Sequence, residues 1–253
     1  MMPEALIEDP RLVAVRERLK GVKHVVAVLS SKGGVGKTFV AAMTAVALAR
    51  AGKAVGLMDM DVTNPNAHIL LGYEVEGRLP EEERGVVPPA VAGVRFMTIA
   101  YYTGENPAPL RGEDVASAIR EVLAITRWGD LDYLIIDTPP GMGDELMEIL
   151  TTIRRAESVI VTTPSPLSLV SARRLVKLLR EGLPRVVGVV ENMSNHPNEQ
   201  VIDLAREAGA EYLGNIPYTP AVDELVGRPD QILETPAGEA IKEVAKKVSS
   251  LLP

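Results

Sequence analysis

At 253 residues with 46% hydrophobic content, the chain is long enough to bury the core of one large α/β domain. A net charge of −7 argues against a protein whose main task is to coat DNA, and the absence of cysteine excludes disulfides, thiolate metal sites and thiol catalysis. No apolar run approaches the roughly 18 residues of a membrane span, and MMPEALIEDPRL at the start has no signal-peptide pattern, so the expected location is cytoplasmic, without membrane binding.

Residues 1–21 read as a helical extension, with a helix near 9–20, and residues 22–253 as one further domain. The β-branched run HVVAVLS at 24–30 predicts a strand, and TFVAAMTAVALARAG at 38–52 predicts a helix that ends in glycine. Further strands are expected near 54–59, 94–100, 132–137, 157–163, 185–191 and 211–216, with helices between most of them and a last one at about 236–252. Residues 72–93, with EEERG and VPP, read as a mobile loop. The alternation predicts a doubly wound, mainly parallel sheet covered on both faces, in a single domain. In SARRLVKLLRE, Arg173, Arg174, Lys177 and Arg180 read as a solvated outer face, although a local basic surface stays open. Ile241, Val244, Val248 and Leu251 share one side of the last helix, which is expected to pack on the sheet rather than touch a membrane.

Between the first strand and its helix lies SSKGGVGKTF, residues 30–39. Gly33, Gly34 and Gly36 permit successive amides to turn inward as an anion nest, and the helix N-terminus adds its positive dipole end. Lys37 is then placed to reach the β- and γ-phosphates of a nucleotide and the Thr38 hydroxyl to ligate Mg²⁺. The general phosphate-loop pattern has glycine where this chain has Ser31, but KGGVGKT is itself the more specific string. The expected binding segment therefore runs through Ser31, Lys32, Gly33, Gly34, Val35, Gly36, Lys37, Thr38 and Phe39. A glycine-rich turn with solvated lysines is the plain alternative.

Ligands of such sheets sit beyond the carboxyl ends of the strands. LMDMDVTNPN supplies Asp59 and Asp61 there, LIIDTPPGMGDE supplies Asp137, and VVENMSNHPNE supplies Asn192. Asp137 closes an apolar strand as a Walker B aspartate does and is expected to hold Mg²⁺ directly or through water, while Gly141 and Gly143 let the following loop move. Asp61 is the candidate for orienting the attacking water; Asp59 is assigned to the metal shell or to a structural role. Asn192 can offer a donor and an acceptor to a purine edge, and Pro217 and Tyr218 of GNIPYTPAV can flank the base. Turns and helix caps are the alternatives for all of these.

KGGVGKT resembles the deviant Walker A motif of the ATPases that include MinD and ParA. That resemblance implies an ATP-dependent homodimer in which Lys32 crosses to the partner's phosphates, as an arginine finger supplied in trans does. LMDMDVTNPNAHILLG, LRGEDV, TRWGDLDYLIIDTPPGMGDE, ENMS and LGNIPYTPAV narrow the similarity to Mrp/ApbC-type ATPases over about residues 22–252. It implies catalysis by Lys32, Lys37 and Asp61, ATP and Mg²⁺ as ligands, and work as a carrier or assembly factor for iron-sulfur clusters delivered to a client protein. Where that family has Cys-Pro-x-Cys after ENMS, this chain has His196, Pro197, Asn198 and Glu199. An iron-sulfur cluster cannot then be held by thiolates. His196 and Glu199 from two subunits could surround Zn²⁺ or Fe²⁺, but HPN is also an ordinary helix entry with Asn195 or Asn198 as cap. A partition or positioning ATPase of the ParA or MinD kind is the second functional reading. A non-hydrolysing scaffold is disfavoured by Lys37, Asp61 and Asp137 occurring together.

Overall fold

The computed structural model describes residues 9–103, 112–182 and 184–253. The start of the N-terminal extension and the Leu110-Arg111 part of LRGEDV lie outside these residues. Ten strands are described: β1 (Val22–Leu29), β2 (Val55–Asp59), β3 (Glu81–Glu82), β4 (Val86–Val87), β5 (Ala90–Val91), β6 (Val94–Thr98), β7 (Leu131–Asp137), β8 (Glu157–Thr162), β9 (Val186–Asn192) and β10 (Glu211–Ile216). The helices are α1 (Pro10–Arg18), α2 (Lys37–Arg50), α3 (Ala67–Leu70), α4 (Ala100–Thr103), α5 (Glu113–Ile125), α6 (Asp144–Thr152), α7 (Pro166–Leu179), α8 (Glu199–Ala208), α9 (Ala221–Glu224), α10 (Pro229–Leu233) and α11 (Pro236–Leu251).

Eight strands form one sheet in the order β10-β9-β8-β1-β7-β2-β6-β5. Every pairing is parallel except β5 with β6. The chain builds outward from β1 in both directions, which is the doubly wound arrangement and leaves a crevice at the carboxyl ends near β1. β2 and β9 are buried at every position, and β1 from Val25 onward, which explains continuous apolar runs where a one-sided sheet would alternate. α2 packs beside α11 and over β1, β2, β6 and β7, while α1 lies on α5 and α5 on α6.

Caps set the helix limits. Asp9 accepts from the Arg11 amide at 2.9 Å with Pro10 at the first turn of α1, and Thr235 accepts from Gly238 at 3.1 Å with Pro236 opening α11. Val15 and Leu19 are buried, so the segment expected as an extension joins the common core through α5. Ile241, Val244 and Val248 are buried as expected, whereas Leu251 at the end of α11 is exposed. Among the described residues no helix is long and apolar enough to cross a membrane.

The segment 72–93 carries regular structure that its composition concealed. β3 and β4 pair antiparallel around a turn in which Arg84 and Gly85 both take positive φ, and β5 extends the main sheet beside β6. Strands this short give no readable alternation.

Candidate nucleotide site

The loop between β1 and α2 is held from three sides. Ser30 Oγ donates to the Lys32 carbonyl at 3.1 Å, and the Gly141 amide donates to the Ser30 carbonyl at 2.9 Å, tying the DTPPG loop after β7 to it. Asn192, at the end of β9, donates through Nδ2 to the Val35 carbonyl at 2.8 Å. Gly36 has φ +78°, and a Cβ there would lie 2.2 Å from Asn192 Nδ2, so both conformation and space require glycine. α2 starts at Lys37, immediately after this turn, and its first-turn amides have no intrahelical acceptors. Gly33 and Gly34 are exposed and Thr38 is half-buried at the same end. Such an arrangement can cradle an anion.

Lys37 Nζ donates to Asp137 Oδ1, forming an ion pair with both side chains buried. Burial pushes the Asp137 carboxyl upward, opposed by the charge and hydrogen bond of Lys37 and by the Thr38 hydroxyl. Asp137 Oδ2 is buried without a hydrogen-bond partner. An unpaired carboxylate oxygen beside a threonine hydroxyl is an oxygen donor set that suits a small hard cation.

Asp59 is the neighbour of Asp137 across β2 and β7. Its Oδ1 accepts from the Asp61 amide at 3.2 Å and its Oδ2 from the Ala67 amide at 2.9 Å. Both oxygens are thus engaged in holding the 60–67 loop, and burial followed by the Asp137 charge pushes the group up to about 8. Asp61 accepts through Oδ1 from Thr63 Oγ1 at 2.9 Å and from the Asn64 amide at 3.1 Å, an Asx-type turn that orients the side chain. Glu145, in the first turn of α6, was not singled out from the sequence. Burial and then the charge of Asp61 raise it, which puts a further carboxyl at this edge. The acidic pair after GMG at a helix start was its available signal.

A cavity of about 180 Å³ adjoins the loop, walled by Phe39, Leu70, Asn192, Met193, Pro217 and Tyr218 among others. Four of these, Phe39, Asn192, Pro217 and Tyr218, were expected; Leu70 and Met193 were not. A larger groove, about 650 Å³ between α1 and residues 151–155, contains none of the expected site residues.

Lys32 is half-buried, and its side chain makes no ion pair or hydrogen bond among the described residues. His196 and Glu199 are both exposed. Asn198 accepts from the Gln200 amide at 2.9 Å as the cap of α8, whose first residue is Glu199, so this stretch is built as a helix entry. Among the described residues no group of three or more His, Asp or Glu is placed to hold a metal ion.

Comparison with known proteins agrees with this geometry. Residues 21–251 match the model of the ParA family described as NUBPL iron-transfer P-loop NTPase. An iron-sulfur cluster carrier protein of Methanocaldococcus jannaschii is 35% identical over 253 residues, covering 92% of this chain and 87% of the relative. The cytosolic Fe-S cluster assembly factor CFD1 of Kluyveromyces lactis is 34% identical over 86% of this chain and 84% of its own. Among solved structures, a nucleotide-binding protein from Archaeoglobus fulgidus in complex with ADP superimposes with a TM-score of 0.69 at 28% identity over 92% of each chain. The cell division ATPase MinD of Pyrococcus furiosus shares the fold with a TM-score of 0.66 at 23% identity over 90% of this chain and 99% of its own.

Proposed function

Because the chain belongs to the NUBPL iron-transfer family of P-loop NTPases, we propose that it binds ATP with Mg²⁺, hydrolyses it to ADP and phosphate as a homodimer, and serves iron-sulfur cluster carriage or metallocentre assembly in the cytoplasm. The observation that carries the ATPase part is the convergence of Lys37, Asp137 and Asp61 on one glycine-lined anion cradle.

On this reading the phosphates take Lys37 from Asp137, exchanging one buried charge partner for another. Thr38 and Asp137 would hold Mg²⁺, which would supply positive charge to the nucleotide's phosphates. Asp59 holds the 60–67 loop through two amides, and Asp61, fixed by its turn, directs a water at the γ-phosphate. Lys32 is free of partners in the described chain and supplies positive charge across a dimer interface. Asn192 commits one of its two amide N–H donors to Val35 and keeps the other, with Oδ1, for a purine edge.

Neither the carrier role nor a client follows from the site itself; the named relatives support them. A positioning role of the MinD or ParA kind is supported by fold alone. Calorimetry with ATP, followed by phosphate-release assays, tests the enzyme. Failure to bind ATP in the presence of Mg²⁺ overturns the reading.

A further inference from the structure

Met193 adopts φ +57°, a left-handed conformation that is sterically disfavoured for a residue with a β-carbon. Its side chain is 43% exposed, so burial of the methionine does not account for that conformation. The same side chain lines the cavity beside Phe39 and Tyr218, and its Cε lies 3.5 Å from where a Cβ on Gly36 would stand. The backbone on either side is fixed. Asn192 is bonded to the phosphate loop through Val35. The Ser194 amide donates to the Ile216 carbonyl at 2.9 Å, and Asn215 Nδ2 donates to the Ser194 carbonyl at 2.8 Å. Ser194 Oγ then reaches the His196 carbonyl at 2.7 Å, linking the pocket to the exposed turn before α8.

At the far end of that turn, Glu191 is buried and accepts through Oε2 from the Asn198 amide at 2.9 Å and from Tyr212 OH at 2.8 Å. Its Oε1 is buried without a partner. The turn at 193–198 is therefore anchored at both ends to the strand end that carries Asn192, with one left-handed joint at the cavity wall. Backbone held in a disfavoured region persists only where its surroundings over-determine it, and such positions cluster at ligand clamps and switches.

We infer that Met193 is a base-capping residue, held left-handed so that its thioether closes the cavity over an adenine ring, and that through Ser194 it transmits base occupancy to the exposed turn 195–197. The inference rests on the ATP reading above and adds a contact and a route that the reading does not require. A flexible thioether suits a planar aromatic ligand, and such sulfur-aromatic contacts are worth on the order of two- to tenfold in affinity.

The test compares ADP with inorganic tripolyphosphate, which carries the anionic groups without a base. Met193→Ala should weaken ADP binding several-fold in calorimetry and leave tripolyphosphate binding unchanged, while Met193→Leu keeps ADP affinity within about twofold of the parent. In the parent, ADP but not tripolyphosphate should slow amide exchange at Ser194, Asn195, His196 and Asn198. Met193→Gly, which frees the joint, should lose that protection. Equal ADP affinity in the parent and Met193→Ala, or protection by tripolyphosphate equal to that by ADP, overturns the capping role. A parent chain that binds neither probe overturns the ATP reading along with it.

Discussion

Lys37 and Asp137 stand 100 residues apart in sequence and form a buried ion pair at the mouth of the anion cradle. The pair gives each residue a charge partner before any phosphate or cation arrives. Removing one member of a buried pair costs about 3–5 kcal/mol, because the other is left uncompensated. Lys37→Ala should therefore lower the melting temperature of the nucleotide-free protein and abolish measurable ATP binding. Adding Asp137→Asn should restore much of the stability and none of the binding. A single Lys37→Ala variant with parental ATP affinity in calorimetry would remove Lys37 from the phosphate site.

Asp61 is held by Thr63 and Asn64 through one oxygen only, which leaves the other for a water. Asp61→Asn keeps the turn and removes the charge that, on the proposed reading, polarises the nucleophile. Turnover should fall by roughly 10²- to 10⁴-fold with KM little changed, since general-base assistance acts after binding. Single-turnover phosphate release at the parental rate would return Asp61 to a purely structural turn.

How far these roles were legible depends on how local their causes are. The glycines and lysines of KGGVGKT announce their chemistry within seven residues, and fully buried strands such as β2 and β9 announce themselves as apolar runs. The bond from Asn192 to Val35 spans 157 positions and leaves no periodic trace. The sequence offered Asn192 as both donor and acceptor to a base; folding spends one of its two N–H donors on the loop before α2. The left-handed backbone of Met193 sits beside Ser194, which β10 residues fasten on both sides, and does not follow from methionine's own preference. Asp59 had a metal-shell and a structural alternative, and only the positions of the Asp61 and Ala67 amides show where its oxygens go.

The pH dependence of stability offers a test of Asp59. Its carboxyl is pushed up to about 8 from an ordinary value of 3.8, so the folded state prefers it protonated. The stabilisation is full below the unfolded value, declines as the unfolded chain releases its proton above about 4, and is gone once pH passes the folded value near 8. Asp59→Asn removes this titration at the cost of one amide acceptor. In thermal melts of nucleotide-free protein, the variant should gain on the parent steadily between pH 4 and 8, with no further gain above. A difference between the two that is constant across that range would show Asp59 to be ionised throughout.

Lys32 is the lysine the phosphate cradle does not need. Without a partner among the described residues, its loss should not disturb the monomer: Lys32→Ala should melt like the parent and bind ATP with similar affinity. In an Asp61→Asn background that retains ATP, sedimentation should show dimer association weakened at least about tenfold in favour of monomer, the scale of losing one charge-assisted contact. An undiminished ATP-bound dimer would make Lys32 a solvated loop charge.

The cargo is where this chain departs from Mrp-type pattern, because it has no cysteine at all. His196 and Glu199 stand at the two positions in question, yet both are exposed, and Asn198 between them is spent as the cap of α8. Imidazole and carboxylate are poor substitutes for thiolates around sulfide-bridged iron. Anaerobic reconstitution with iron and sulfide should therefore leave no chromophore on the protein after gel filtration, and His196→Ala should behave as the parent does. ATP turnover should be unaffected in the same samples. A carrier role would then depend on a client that brings its own thiolates, with the ATPase controlling when that client is held. A cluster that survives gel filtration at about one per dimer, and is lost in His196→Ala, would instead establish ligation without cysteine.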